Sequence, residues 1–418
     1  MADERVRGGA RDVGALRAAR SSRPSDDEAA RQLLSGDAWH RYCDALRAAG
    51  DHLLATNANA SESTRAEGVR YLLGLVRGGL GQALELADPA RPRFFRNPDS
   101  SSRWGAENAD NQYLWARVDR RGVYRIAGSR GTAFDFLIEA KEGYMQLGDE
   151  RNFATLTAGE IEYDAAGGFE ITLSAEPRAG NWLRLDPDAR YIAIRQYLCD
   201  WSREEPARFT IECLEAPEPD TPVTPARIAS WLEDAAEWTL ESARFWSEWT
   251  GPLRAAWNPS QLAPARKFAG GADDIYYGNN YYRLDPEQAL VIETGLPEAR
   301  YWQFQLCDLW FRSRDWSEQS TSINHRQAHI DSDGCFRCVV AHRDPGVANW
   351  LDTSGEPEGL LQYRWIWSQT NPVPTGRIVS FDSIRDHLPT DTPAFSPANR
   401  RADRKARLRH RNLREPAS

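Results

Sequence analysis

The sequence predicts a mainly β protein with α-helical additions, built as two related β-sandwiches from an internal duplication. Three observations carry that prediction. Two long stretches consist of short β-branched and aromatic runs separated by Gly, Asp and Asn, the texture of antiparallel strands. The two stretches share motifs at matching spacings. The segments outside them show helical periodicity instead. With 418 residues, 41% hydrophobic and 27% charged, the chain is long enough for more than one domain and apolar enough to bury a core, which excludes a disordered chain, a collagen or a mini-protein.

Residues 1–35 are polar, rich in Arg and Asp and without periodicity, and read as a disordered tail. Residues 36–100 read as a helical N-terminal segment. Asp37 is an N-cap candidate ahead of Trp39, Tyr42, Cys43, Leu46 and Leu53 at helical spacing. Thr64-Arg65-Ala66-Glu67 has the form of a capping box before Val69, Leu72, Leu73, Val76, Leu80 and Leu84. Residues 101–220 read as the first sandwich, with strands beginning near Trp104. Residues 221–270 read as a linking helix: Thr224 suits the cap, Pro225 the first helical position, and Trp231, Trp238, Trp246 and Trp249 share one wide apolar face. A Trp stripe at that spacing belongs to a core more often than to a ligand box. Residues 271–390 read as the second sandwich. Residues 391–418, with Arg400, Arg401, Arg404, Lys405, Arg407, Arg409, Arg411 and Arg414, read as a basic disordered tail, because no aromatic residues interleave the charges.

The duplication is visible residue by residue. Gly168-Phe169-Glu170-Ile171 leads to Pro177 and Asn181-Trp182-Leu183, and Gly334-Cys335-Phe336 leads to Pro345 and Asn349-Trp350-Leu351, with the same spacing from Pro to Asn. Arg195-Gln196-Tyr197 and Tyr363-Arg364-Trp365 follow at nearly the same distance, and upstream Asn111-Gln112-Tyr113 is matched with Asn280-Tyr281-Tyr282. Asn280-Tyr281-Tyr282-Arg283-Leu284, Tyr301-Trp302-Gln303-Phe304-Gln305-Leu306, Asp333-Gly334, Pro345 through Asp352 and Arg364 together resemble the bacterial domain of unknown function 1214, often found with a companion domain 1254. The resemblance covers about Gly278 to Leu388. It implies jelly-roll-like sandwiches and brings no established activity.

The net charge of -9, from 52 Lys and Arg against 61 Asp and Glu, argues against a protein that coats nucleic acid by charge. No stretch approaches the roughly 18 apolar residues of a membrane span, and Met1 to Ser35 holds no apolar secretion core, so the expected address is cytoplasmic. Six cysteines in so long a chain read as free thiols. Gly-rich phosphate loops, Gly-x-Ser-x-Gly elbows and His-Glu-x-x-His helices are missing from the sequence, and no cofactor is expected. The expected partner is a small molecule, with a homo-oligomer left open.

His325, His329, Cys335, Cys338 and His342 have a spacing superficially like a zinc site. Odd separation sends Cys335 and Cys338 to opposite faces of a strand, and Cys338 matches apolar Ile171 in the first copy, so no metal site is assigned. His325 and His329 read as one face of a strand with Gln327, and His325 is an acid/base candidate. Asp308 follows the apolar face Trp302, Phe304 and Leu306, as either a capped turn or a carboxylate at the lip of a pocket. Arg364 suits a ligand's carboxylate or phosphate, or an internal Asp. Glu139 and Lys141 read as an exposed pair, and Asp273-Asp274 as a turn. Residues present in one copy alone, among them Asp308, His325, His329, Asp352 and Trp367, are the better functional clue, since a shared motif usually builds the fold. The resulting expectation is an enzyme acting on a small organic molecule or saccharide in an aromatic-lined cleft of the second sandwich. Asp308 and His325 are its catalytic residues; Arg364, Asn349, Trp310, Trp350 and Trp367 bind substrate. The alternative is a non-catalytic ligand-binding or scaffold protein.

Overall fold

Alternating side chains along the two strand-rich stretches each give apolar faces that must be buried, and each stretch folds into a pair of sheets. The structure, a computed structural model, describes residues 20, 23–216, 223–268, 271 and 275–415. A short strand, β1 (Phe95–Arg96), precedes the first repeat. That repeat runs β2 (Asn111–Arg117), β3 (Val123–Ser129), β4 (Asp135–Lys141), β5 (Asn152–Thr157), β6 (Gly168–Ser174), β7 (Trp182–Arg184), β8 (Tyr191–Tyr197) and β9 (Arg208–Glu215). The second runs β10 (Ile275–Arg283), β11 (Gln288–Gly295), β12 (Ala299–Cys307), β13 (Ser322–Asn324), β14 (Cys335–Ala341), β15 (Trp350–Asp352), β16 (Glu358–Ser368) and β17 (Thr375–Ser380). The sheets are β1-β2-β8-β4-β5 with β7-β6-β3-β9, and β10-β16-β12-β13 with β15-β14-β11-β17. Apart from the added edge β1, the two orders are the same strand for strand, including a parallel β6–β7 pair matched by β14–β15. The duplication is therefore a duplication of topology.

Each repeat has its own core. Ile126, Phe136, Ile138, Ile171 and Ile194 pack together in the first, and Ile292, Trp302, Phe304, Cys338 and Trp365 in the second. Cys338 sits in that core as Ile171 does in its own, while Cys335 is half-buried. Strand register corrects one correspondence drawn from sequence: Tyr113 pairs with Arg195 and Tyr277 with Arg364, so the partner of Asn111-Gln112-Tyr113 is Ile275-Tyr276-Tyr277 and not Asn280-Tyr281-Tyr282. The intervening loops differ in length, and spacing alone slides the match along the strand.

Helices complete the fold. They are α1 (Asp26–Leu34), α2 (Asp37–Thr56), α3 (Glu62–Glu85), α4 (Pro225–Ser247), α5 (Thr250–Ala255) and α6 (Pro397–Arg414). Thr224 caps α4 through its side chain and Pro225 opens it, as the sequence predicts. The cap of α3 is Ser61, whose hydroxyl accepts from the Thr64 N–H, so the Thr64 box is not the helix start. Ordered structure begins within residues 1–35: Ser25 caps α1, three acidic residues fill its first turn, and Ala29 packs with Ala38 and Ala229. Small residues make that contact, which is why no broad apolar stripe marks it. Among the described residues, no helix is long and apolar enough to cross a membrane.

The C-terminal segment is likewise not a disordered tail. Ser396 caps α6, and Arg407, His410 and Arg414, spaced at helical turns, are 3%, 0% and 3% exposed. The aromatic partners lie elsewhere in the chain. Arg407 sits 4.9 Å over the Trp201 ring, Arg414 sits 4.0 Å over Trp316, and His410 stacks on Trp201 at 5.7 Å. Arg414 also donates to the Ala109 carbonyl (2.8 Å), while Gln112 donates to the Arg414 carbonyl (2.5 Å), fastening the helix to the first repeat. Arg407 donates to the Ser322 carbonyl (3.0 Å) of the second.

Burial, reinforced by Arg414, pushes the His410 imidazole down to about 2. The unfolded chain thus takes up this proton first, and stability falls as pH drops below about 6.5. Urea unfolding at pH 7 and pH 5 should show wild-type protein losing about 2 kcal/mol more than His410→Phe, which keeps the stack on Trp201. Equal losses would show that His410 is protonated in the fold.

Candidate functional site

Each repeat has a sheet with two buried faces. Along β2, β8 and β4 one set of side chains enters the first core, and the other set, including Tyr113, Arg195 and Leu137, points toward the second repeat. Along β10, β16 and β12 the matching outward set is Tyr277, Arg364 and Gln303. The two outward faces meet. Tyr197, Ile275, Tyr301 and Ile366 seal one end of the contact, and Tyr301 donates to Asp110 (2.5 Å) from the opposite repeat. Beyond that seal the faces part around a cavity of about 140 Å³.

The polar walls carry one motif twice. Arg195 lies 5.5 Å over Tyr113 and Arg364 lies 5.7 Å over Tyr277, one arginine–tyrosine pair from each repeat, all four lining the cavity. Arg364 donates to the Gln303 side chain (2.7 Å) and to the Ala106 carbonyl. The Arg195 Nε is buried with no hydrogen-bond partner among the described residues. Burial works against the Arg195 cation, but Tyr197, Tyr277, Glu139 and Tyr113 outweigh it and hold the group above its ordinary range. Among the described residues, neither arginine forms an ion pair with a carboxylate.

Aromatic residues close the other end. Trp104 and Trp115 come from the first repeat, Trp246 from the end of α4, Trp249 from the cap of α5, and Phe311 from the loop after β12. The Trp246 and Phe311 rings stack at 5.7 Å. Gly105 lets that wall approach: its φ is +66°, and a Cβ there would stand 3.0 Å from the Trp246 ring. Glu107, two residues on, is buried and accepts from both the Ser313 hydroxyl and the Ser313 N–H (3.2 Å). Burial raises its carboxyl to about 7, against the pull of Arg103 and those bonds. Glu139 and Lys141 also line the cavity and are 1% and 4% exposed, so the pair read as exposed is instead interior.

Of the residues assigned from sequence, Arg364 alone lines this cavity, which lies between the sandwiches rather than within the second. Asp308 caps a turn and also lines a pocket, a separate polar one of about 420 Å³ shared with Trp310: it accepts from the Trp310 and Arg312 N–H groups and from the Arg312 guanidinium (2.7 Å), which also pairs with Glu67. Trp310 is packed against Gly68 of α3 and donates to the Thr64 carbonyl (3.1 Å). His325 lies in a turn, not a strand, because β13 ends at Asn324; its ring contacts Phe134 and Tyr301, and burial together with Arg326 holds it down at about 4. The His325 N–H donates to the Trp302 carbonyl at 3.0 Å, and β12 runs extended from there toward Asp308. Six residues of strand put the two groups roughly 20 Å apart, so they form no acid–base pair.

His329 turns toward Asp331 (3.6 Å), and His342 toward Thr353 (2.7 Å). Among the described residues no three His, Cys, Asp or Glu side chains converge as metal ligands, and Asp273-Asp274 lies outside the described residues. Trp367 packs on Tyr197 and under Arg300, and Trp350 lies under Arg400 with its indole N–H on the Ala341 carbonyl. Asn349 ties three backbone groups: it accepts from the His329 N–H and donates to the His329 and Arg337 carbonyls, just as Asn181 accepts from the Glu162 N–H and donates to the Glu162 and Glu170 carbonyls. Its role is to hold a loop, in both copies.

Sequence reasoning misses Arg195, Tyr113, Tyr277, Lys141, Trp246 and Trp249. The signal available is the pairing of Arg195 with Arg364, which is discarded once every shared motif is assigned to the fold. Asn349→Ala should lower stability by about 2–4 kcal/mol in urea unfolding, since it strands buried backbone groups. A loss below about 0.5 kcal/mol would contradict the loop-holding role.

A crystal structure of an uncharacterised protein from Burkholderia cenocepacia is 35% identical to the chain, covers 85% of it and 99% of that protein, and superposes with a TM-score of 0.80. A Vibrio parahaemolyticus protein of known structure is 12% identical, covering 80% of this chain and 100% of that one, with a TM-score of 0.45. No protein-family model and no curated protein matches the chain. At that identity and coverage, the chain belongs to the same family as the Burkholderia cenocepacia protein.

Proposed function

We propose that this protein binds a small organic anion in the cavity between its two sandwiches, with Arg195 and Arg364 holding the anionic group. One observation carries the reading: a guanidinium group from each repeat, Arg364 buried and Arg195 half-buried, lines one cavity, and neither is hydrogen-bonded or ion-paired to a carboxylate among the described residues. A buried cation costs several kcal/mol unless a counter-charge offsets it; Glu139 supplies part of that charge to Arg195, and a bound anion supplies more. Tyr113 and Tyr277 stack against the guanidinium groups and keep them from turning away. The aromatic end of the cavity suits an apolar or aromatic body on the same molecule.

Glu107 favours a second reading, in which the bound molecule also reacts. A carboxyl raised to about 7 holds and releases a proton in the neutral range, and it stands next to Ala106, whose carbonyl accepts from Arg364. In this reading Glu107 takes the acid–base role that Asp308 and His325 are placed too far apart to share.

Isothermal titration with benzoate and hexanoate tests the site. Both anions should bind wild-type protein, and Arg195→Met should weaken them at least tenfold, about 1.4 kcal/mol. Unchanged affinity in Arg195→Met would sink the proposal. Affinity should also fall as pH rises from about 6 to about 8, because Glu107 ionises and repels the anion, and Glu107→Gln should flatten that profile. A pH-independent wild-type profile would remove Glu107 from the site.

A further inference from the structure

The cavity has a second donor pole, and its position sets the kind of molecule that fits. We infer that the ligand is a small dianion, a dicarboxylate whose second carboxylate is taken by Lys141; the inference rests on the anion-binding reading of the arginine pair. Lys141 is 4% exposed, lines the cavity, and its ammonium Nζ has no hydrogen-bond partner among the described residues. Its ion-pair contact, Glu139 at 3.8 Å, is too long for a hydrogen bond, and Glu139 already accepts from Asn152 (3.1 Å). An ammonium has three N–H donors and no acceptor, so a buried one without hydrogen-bond partners calls for oxygens from a ligand. The indole N–H groups of Trp246 and Trp249, on the same cavity, are also buried without acceptors among the described residues.

Register sets the backbone spacing of the two poles. Arg195 pairs with Leu137 and Tyr191 pairs with Lys141 across β4 and β8, so Lys141 stands four residues along the strand from the arginine layer. That is roughly 13 Å at the rise of an extended strand. With the two long side chains projecting side by side from the same sheet face, charge-assisted hydrogen bonds of about 2.8 Å at each end leave room for two carboxylates about 7 Å apart. A para-substituted aromatic dicarboxylate or a six-carbon aliphatic one has that reach. Its body then lies in the intervening layer, where Trp115 and Glu139 both pair with Ala193, and faces Asn279 with Gln362 on the other sheet.

Two matched pairs of probes test this on the full-length protein: benzoate against terephthalate, and hexanoate against adipate, by isothermal titration. The expected result is that each dicarboxylate binds at least tenfold more tightly than its monocarboxylate, and that Lys141→Met brings it down to the monocarboxylate level. Glu139→Gln, which removes the competing carboxylate and keeps the shape, should strengthen the dicarboxylates further. Equal affinities within each wild-type pair overturn the second pole while leaving the arginine site standing, and need no variant to fold. A dicarboxylate advantage that survives Lys141→Met overturns the assignment to Lys141. Failure of all four probes to bind overturns the anion reading and this inference with it.

Discussion

The fold turns on one constraint: a duplicated sandwich has two sheets whose outward faces, as well as their inward ones, must be buried. Each repeat satisfies its inward face with Ile, Phe and Leu, joined in the second by Trp302 and Trp365. The outward faces are not uniformly apolar. They carry Tyr197, Ile275, Tyr301 and Ile366 at one end, and beyond them Arg195, Arg364, Asn279 and Gln362. Two polar layers pressed together cannot close without leaving donors stranded, so the sheets seal at the apolar end and part around a cavity at the polar one. The site is thus the place where the duplication cannot pack against itself.

The remaining elements follow from that geometry. Helix α4 links the repeats and, with the turn into α5, brings Trp246 and Trp249 to the cavity, closing it with rings rather than with a third polar layer. The loop Gly105-Ala106-Glu107, with two consecutive residues at positive φ, aims the Ala106 carbonyl at Arg364 and the Glu107 and Ala106 carbonyls at Gln305. Helix α6 fastens both repeats from outside, through Arg414 on the Ala109 carbonyl and Arg407 on the Ser322 carbonyl. Orientation of the two sheets, and with it the distance between the two arginines, depends on those outer contacts as well as on the seal.

Much of the architecture is legible in the sequence because local patterns report local structure. Periodicity marks α4 and its cap, and the recurring Asn-Trp-Leu motif marks the duplication, since Asn181 and Asn349 make the same loop bonds in both copies. Register is not legible: one sequence does not say which residue of β10 opposes Arg364, and spacing alone points to Asn280 where the strand presents Tyr277. Nor is α6, whose arginines read as solvated because Trp201 and Trp316, the rings they cover, lie far away in the chain. The site escapes for a third reason. Residues unique to one copy point elsewhere, since Asp308 is spent on its own turn and His325 on a ring contact. The shared arginines, unremarkable within either repeat, become a site only when the repeats face each other.

The most direct measurement is an anomalous-difference map from crystals of the protein grown with 4-bromobenzoate. Bromine density is expected inside the cavity, with the carboxylate between the Arg195 and Arg364 guanidinium groups and the bromine turned away from both. A cavity without bromine, or a carboxylate turned away from both arginines, would contradict it.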